Sequence, residues 1–242
     1  MRLKVFVDFD GTITEEDVGN RFFEHFGGPH ARELVADYRA GRMSAQECFR
    51  RETEALGHFT GAQAATFLHE RALRGGFAEF VSFCRDRQLD LTILSDGLDY
   101  YIDIILSHHG LEEIPRLANH FVLDDRDERQ AARPRIEFPY GDAECDRCAC
   151  CKRNQMVTRA GDDEVIAFIG DGYSDRCVAQ YADLVFARGE LQAFCQEANV
   201  SYLPYQTFHD ITASLRRMLD GAGIKPRRQA ALRRRELFQS EP

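Results

Sequence analysis

Two aspartates two positions apart, Asp8 and Asp10, close the first apolar run of the chain, where Leu3-Lys4-Val5-Phe6-Val7 leads into Asp8-Phe9-Asp10-Gly11-Thr12. Three more polar islands follow: Ser95-Asp96-Gly97, then Lys152, then Gly170-Asp171-Gly172-Tyr173-Ser174-Asp175. Hydrolysis of a phosphate ester through a covalent intermediate needs a nucleophile, an acid for the leaving oxygen, gathered positive charge and donors for the equatorial oxygens. These islands hold all four. Residues two apart on a strand share a face, so Asp8 and Asp10 can address one ligand, one attacking phosphorus and the other protonating the leaving oxygen and later activating water. Gly11 permits close backbone approach to a phosphate, with Thr12 beside it. Ser95 ends an apolar run ahead of a predicted helix, so its hydroxyl and the amides of Asp96 and Gly97 can donate to an oxyanion. Lys152 offers compact positive charge. Asp171 and Asp175 add carboxylate oxygens to those of Asp8 and Asp10, and hard oxygens around a phosphate suit Mg2+.

Each island alone has a plainer reading, since D-x-D and Ser-Asp-Gly often make turns or helix caps and a lone lysine is usually solvated. Their joint position favours chemistry. Three of them follow directly on a buried-strand run, and in a parallel sheet such ends converge where ligands bind. The runs Leu3–Val7, Leu89–Leu94, Val165–Ile169 and Leu184–Ala187 alternate with helix-length stretches. That alternation predicts an α/β fold, a doubly wound, Rossmann-like parallel sheet. Residues 14–76 show helical spacing, as in Val18, Phe22 and Phe26, and read as a helical cap inserted into a core made of 1–13 and 77–220. Gly27-Gly28-Pro29 should break helices within it, and Gly75-Gly76 should make a flexible junction. Two apolar patches, Phe121-Val122-Leu123 and Ile136-Glu137-Phe138, flank a charged stretch and predict a surface hairpin with a solvated loop. Residues 221–242 form a basic tail carrying Arg227, Arg228, Arg233, Arg234 and Arg235, expected as a solvated helix or frayed end.

Composition narrows the class. A net charge of −9 over 242 residues argues against non-specific nucleic-acid binding, which rests on surplus Lys and Arg. No apolar run approaches the ~20 residues that span a bilayer, and no secretory signal opens the sequence. The expectation is a cytoplasmic enzyme acting on a small phosphorylated metabolite, with no membrane partner; no feature sets an oligomeric state.

In order and spacing, Asp8-Phe9-Asp10-Gly11-Thr12, Ser95, Lys152 and Asp171-x-x-x-Asp175 resemble the four motifs of the haloacid dehalogenase superfamily. The resemblance implies Asp8 as the nucleophile that becomes an aspartyl phosphate and Asp10 as general acid and base. It implies Mg2+ on the Asp8 carboxylate, the Asp10 carbonyl and Asp171, with Asp175 as a ligand or just behind one, and phosphate held by Ser95 and Lys152. The helical insert looks like the cap of the phosphoserine-phosphatase-like branch. Within that branch, Ala182–Arg188, Tyr205–Asp210 and Cys148-x-x-Cys151-Lys152 resemble the methionine-salvage phosphatases, which implies the salvage enol-phosphate as substrate, with phosphoserine or phosphocholine and phosphoethanolamine as alternatives. Asp17, nine positions after Asp8, stands where phosphoserine phosphatases carry a substrate-facing Glu; it also fits a helix start.

Cys145-x-x-Cys148-x-Cys150-Cys151 lies outside this scheme. Its thiols could bind structural Zn2+, remain reduced, or form a reversible disulfide. Cys48, Cys84, Cys177 and Cys195 read as small core residues. A reading from another class, a metal- or RNA-binding protein using the cysteines or the basic tail, leaves the pairing of Asp8 with Asp10 unused.

Overall fold

Leu3, Val5, Phe6 and Val7 are buried because the strand they form has a neighbour on each edge and is covered on both faces, the environment that favours continuous apolar runs. The computed structural model describes residues 2–123, 134–143, 145, 147–161, 163–221 and 223–239. The strands are β1 (Arg2–Val7), β2 (Asp90–Leu98), β3 (Arg116–Val122), β4 (Arg135–Glu137), β5 (Glu164–Gly170), β6 (Leu184–Ala187) and β7 (Leu203–Pro204), in the order β4-β3-β2-β1-β5-β6-β7. The helices are α1 (Val18–Gly27), α2 (His30–Arg39), α3 (Ala45–Glu54), α4 (Gly61–His69), α5 (Phe77–Asp86), α6 (Asp99–His108), α7 (Lys152–Arg159), α8 (Asp175–Val178), α9 (Gly189–Glu197), α10 (Phe208–Asp220) and α11 (Arg228–Gln239). The chain divides into two compact units: Met1–Ile13, Leu73–Leu94 and Lys152–Pro242 in one, Thr14–Ala72 and Ser95–Cys151 in the other.

In the first unit β1 pairs in parallel with β2 and with β5, and β6 and β7 extend the sheet beyond β5. Register sets the chemistry: Val7 lies opposite both Ile93 and Ile169, so Asp8 and Gly170 leave the sheet at one level, and the Asp8 amide donates to the Ile169 carbonyl at 2.9 Å. Helix α5 packs on α10 through Phe77 and Phe80 against Phe208, with ring centroids 4.8 and 5.2 Å apart. The expected flexible junction at Gly75-Gly76 is instead packed. Gly76 has φ of +84°, a Cβ there would stand 2.8 Å from His209, and the Phe208 amide donates to the Gly75 carbonyl at 2.9 Å. Glycine is needed for space and for a left-handed conformation.

The basic tail also differs from expectation, for α11 is docked. Asp183, whose side chain is fully buried, accepts from the Arg227 and Ile166 amides at 3.0 Å and from Arg234 at 3.1 Å on each oxygen. Arg227 and Arg234 also donate to the carbonyls of Ala179, Gln180 and Tyr181. Two of the five arginines thus satisfy a buried carboxylate and the carbonyls beyond α8, while Arg228, Arg233 and Arg235 are exposed as expected. Arg234→Leu should therefore lower stability by about 1.5–3 kcal/mol, the range for a hydrogen bond to a charged group, read as a fall in thermal midpoint.

The second unit is built on aromatic contacts. Phe22 of α1 meets Phe26 and Phe59 at 5.0 and 5.6 Å, Tyr100 and Tyr101 of α6 at 6.2 Å, and Phe121 of β3 at 6.0 Å. Three of the four helices of 14–76 begin at capping side chains, Asp17 for α1, Ser44 for α3 and Thr60 for α4. Gly28, with φ of +84°, ends α1 ahead of Pro29. The expected hairpin forms, β3 and β4 pairing antiparallel with Phe121 opposite Ile136; its charged loop, 124–133, lies outside the described residues. Cys48, Cys84 and Cys195 are buried as expected, whereas Cys177 is half-buried.

Glu52 of α3 is 4 % exposed and hydrogen-bonds Cys48. Burial, then the charge of Asp17, pushes its carboxyl up to about 8. Because the folded value lies above the unfolded one, its contribution is fully present below about pH 4.5 and is lost as pH rises to about 8. Glu52→Gln should flatten that part of the stability curve, gaining on wild type toward pH 8; equal slopes in denaturant melts at pH 5, 6.5 and 8 would refute it.

Candidate active site

At the carboxyl ends of β1 and β5 two carboxylates hold one ammonium and a third lies beside them. Lys152, the first residue of α7, is 1 % exposed, and its Nζ lies 2.7 Å from Asp8 Oδ1, 2.7 Å from Asp175 Oδ1 and 3.1 Å from Ser174 Oγ. A lysine is seldom buried so fully unless paired, and here two buried carboxylates share it. Asp175 Oδ2 accepts the Asp171 and Gly172 amides, each at 3.0 Å, so both oxygens of Asp175 serve to fix the turn and the lysine. Gly170 makes this possible, since a Cβ there would stand 2.4 Å from Asp175 Oδ2.

The turn after β1 is equally constrained. Asp10 (φ −69°, ψ 123°) and Gly11 (φ 71°, ψ −9°) are the central residues of a type II turn, whose third position requires positive φ and therefore glycine. A Cβ on Gly11 would also fall 2.6 Å from Asp171 Oδ2. Thr12 Oγ1 donates to Asp171 Oδ1 at 2.7 Å, and the Phe9 amide donates to Asp8 Oδ1 at 2.8 Å. Asp10 is half-buried within the turn.

Oxygens of Asp8, Asp171 and Asp175 all lie within 4.8 Å of one another, and among the described residues this is the one such group of three or more His, Cys, Asp or Glu. Burial, then the charges of Asp175 and Asp171, hold the Asp8 carboxyl well above the usual range, while Lys152 pulls it down. Burial and Asp175 push Asp171 up to about 6. Carboxyls crowded in this way against a single ammonium have the composition that a divalent cation would relieve.

The structure thus brings Asp8, Thr12, Lys152, Asp171 and Asp175 together in the first unit, with Asp10 in the same turn. The remaining candidates lie in the second unit. Ser95, Asp96 and Gly97 continue strand β2, which runs to Leu98 instead of stopping at Leu94, and the expected helix, α6, follows at Asp99. The Gly97 amide donates to Ser95 Oγ at 2.9 Å, and the Asp96 carboxylate accepts the Cys150 amide at 2.6 Å. Asp17 caps α1, accepting from the amide and side chain of Asn20 at 2.8 and 2.7 Å. Cys148, Cys150 and Cys151 are buried and Cys145 half-buried; the Cys148 thiol hydrogen-bonds Cys151, which together with burial raises its pKa and keeps it protonated. The described cysteines form no cluster of three ligand atoms, so structural Zn2+ finds no support.

Sequence reading gives no role to three groups that the fold delivers here. Arg74 Nη2 and Arg188 Nη1 donate to the Gly11 carbonyl at 2.6 and 3.1 Å, and the Tyr205 hydroxyl donates to the Gly170 carbonyl at 3.3 Å. All three act on backbone oxygens, which carry no mark in sequence.

The profile of haloacid dehalogenase-like hydrolases matches residues 5–180. The chain is 34 % identical over 220 residues to the 2-hydroxy-3-keto-5-methylthiopentenyl-1-phosphate phosphatase of Geobacillus kaustophilus, covering 90 % of this chain and 97 % of that one. The protein of the same name from Bacillus mycoides is 29 % identical over 223 residues, with 91 and 99 % covered. Among solved structures, a phosphoserine phosphatase bearing a phospho-aspartyl intermediate analogue superposes with a TM-score of 0.65 at 13 % identity, over 88 % of this chain and 99 % of that one. Cytosolic 5'-nucleotidase IIIB bound to cytidine superposes with a TM-score of 0.59 at 15 % identity, over 99 and 88 %.

Proposed function

The chain belongs to the haloacid dehalogenase-like hydrolase family and is a phosphoric monoester hydrolase; from that premise we propose that it removes phosphate from 2-hydroxy-3-keto-5-methylthiopentenyl-1-phosphate through an aspartyl phosphate on Asp8. The substrate is carried by likeness to its named relatives over nearly their whole length. The chemistry is carried by one observation, the Lys152 ammonium held 2.7 Å from both Asp8 and Asp175.

In this reading an Asp8 oxygen attacks phosphorus while the bond to the ester oxygen breaks, and Asp10 gives that oxygen its proton. Asp10 then takes a proton from water, whose oxygen attacks the acyl phosphate and leaves within inorganic phosphate as Asp8 is regenerated. Both contacts of Asp8 given above fall on Oδ1, so the lysine fixes one oxygen and orients the other. Asp8, Asp171 and the Asp10 carbonyl would hold Mg2+, which when bound offsets the charge of carboxylates and phosphoryl group. Asp175 serves by orienting Lys152 and the 171–172 amides. The family resemblance supports a phosphate-binding role for Ser95, Asp96 and Gly97, and a substrate-specificity role for Asp17 and the helical segment 14–76.

Phosphate release with Mg2+ from the salvage enol-phosphate, phosphoserine, phosphocholine, phosphoethanolamine and an aryl phosphate tests the proposal. The salvage ester should lead by at least about a hundredfold in kcat/KM, or roughly 2.7 kcal/mol of differential transition-state binding. Excess EDTA should abolish turnover and added Mg2+ restore it. A comparable lead for an amine-bearing ester would overturn the substrate and keep the reaction.

A further inference from the structure

Gly11 is the loosest residue of the catalytic turn, yet its carbonyl is gripped from two sides. Arg74 is 8 % exposed and divides its guanidinium between neighbouring carbonyls, Nη2 to Gly11 at 2.6 Å and Nε to Thr12 at 2.9 Å. Arg188, just after β6, reaches the Gly11 carbonyl at 3.1 Å. The Arg74 amide donates to the Ile13 carbonyl at 2.7 Å, so one residue engages Gly11, Thr12 and Ile13 in succession. The planar fork of a guanidinium can span two carbonyls in fixed geometry, which a lysine ammonium cannot reproduce.

The consequence for the turn follows from peptide geometry. A trans peptide is planar, with its carbonyl and the next amide pointing in opposite directions, so fixing the Gly11 and Thr12 carbonyls also fixes the Thr12 and Ile13 amides. Without that restraint, glycine at positive φ has the widest conformational choice of any residue. The turn has little tolerance for such freedom, because Gly11 sits where even a Cβ would collide with Asp171 and Thr12 hydrogen-bonds the same carboxylate. The chain also leaves the first unit after Ile13 and re-enters it at Leu73, which places Arg74 at the return of the helical insert.

We infer that Arg74 is a positioning residue for phosphoryl transfer: its guanidinium, with that of Arg188, locks the Gly11 and Thr12 peptides and so sets the Asp8–Asp10 pair against Asp171. The inference rests on the phosphomonoesterase reading for its kinetic arm alone. Arg74→Met keeps much of the volume, and Arg74→Lys keeps the charge without the fork.

Misplacement on the ångström scale can cost about a hundredfold, so both variants should lose at least about tenfold in kcat while KM moves less than about threefold. Arg74→Ala, which leaves room for a free guanidinium ion, should regain activity when guanidinium is added at low, non-denaturing concentration. Hydrogen exchange gives a readout independent of substrate: amides of the 9–13 segment should exchange at least about fivefold faster in Arg74→Met, while β1 and β5 stay protected. Wild-type-like kcat in Arg74→Met beside an active wild type overturns the inference, as does unchanged exchange at 9–13 or faster exchange spread evenly over the sheet. An inactive wild type would count against the phosphatase reading, and exchange would still decide the role of Arg74.

Discussion

Asp8→Asn is expected to lower phosphate release by at least about 10⁴-fold, about 5.4 kcal/mol of barrier, without lowering the thermal midpoint. An amide has the shape of the carboxylate but lacks the anionic oxygen that must attack phosphorus. The stability half of the expectation comes from crowding. Asp8 is 5 % exposed and burial, Asp175 and Asp171 all raise its pKa, so its charge opposes folding more than the single ammonium of Lys152 favours it. Replacing it with a neutral isostere removes repulsion and leaves Lys152 still 2.7 Å from Asp175. Phosphate release and thermal melts on the same preparation check both halves. Hydrolysis at the wild-type rate would remove the covalent mechanism, while a midpoint lowered by many degrees would show that the Asp8–Lys152 pair outweighs the crowding.

Why the candidate carboxylates were legible in sequence while the groups that hold them were not follows from where each kind of information is stored. Asp8, Asp171 and Asp175 follow apolar runs that have to be parallel strands, and the register of β1 with β5 carries the first and fourth islands to one level without further instruction. Local chemistry and strand ends therefore sufficed. The side chains of Arg74, Arg188 and Tyr205 reach carbonyls at Gly11, Thr12 and Gly170, and a carbonyl is the same in every residue. Two arginines of the tail, Arg227 and Arg234, escaped the sequence reading for a related reason. Five arginines look like a solvated surface until Asp183, more than forty residues earlier, is found buried beneath Arg227 and Arg234. Ser95 shows the limit of hydropathy alone, since β2 carries polar residues on past Leu94 by hydrogen bonding that its composition does not advertise.

Lys152→Met should be the most damaging single change to stability in the site. Removing one partner of a buried ion pair leaves an uncompensated charge, at a cost of about 3–5 kcal/mol, and here the loss falls on two carboxylates at once. The same change should suppress turnover by at least about a thousandfold, because in the proposed mechanism Lys152 supplies the positive charge that gathers carboxylates and phosphoryl group. A second substitution separates the two effects. In the Asp8→Asn background one of the two orphaned anions is already gone, so Lys152→Met should cost markedly less there, with a coupling of about 1–3 kcal/mol between the sites. Denaturant melts of the four proteins at pH 7 give that coupling directly. Additive losses would mean that Lys152 is held by Asp175 alone and that Asp8 is a bystander to its burial. Strong coupling would show that nucleophile and cation are one electrostatic unit, in which the buried lysine that holds the fold together at this point is also what lets Asp8 exist as an anion beside two others.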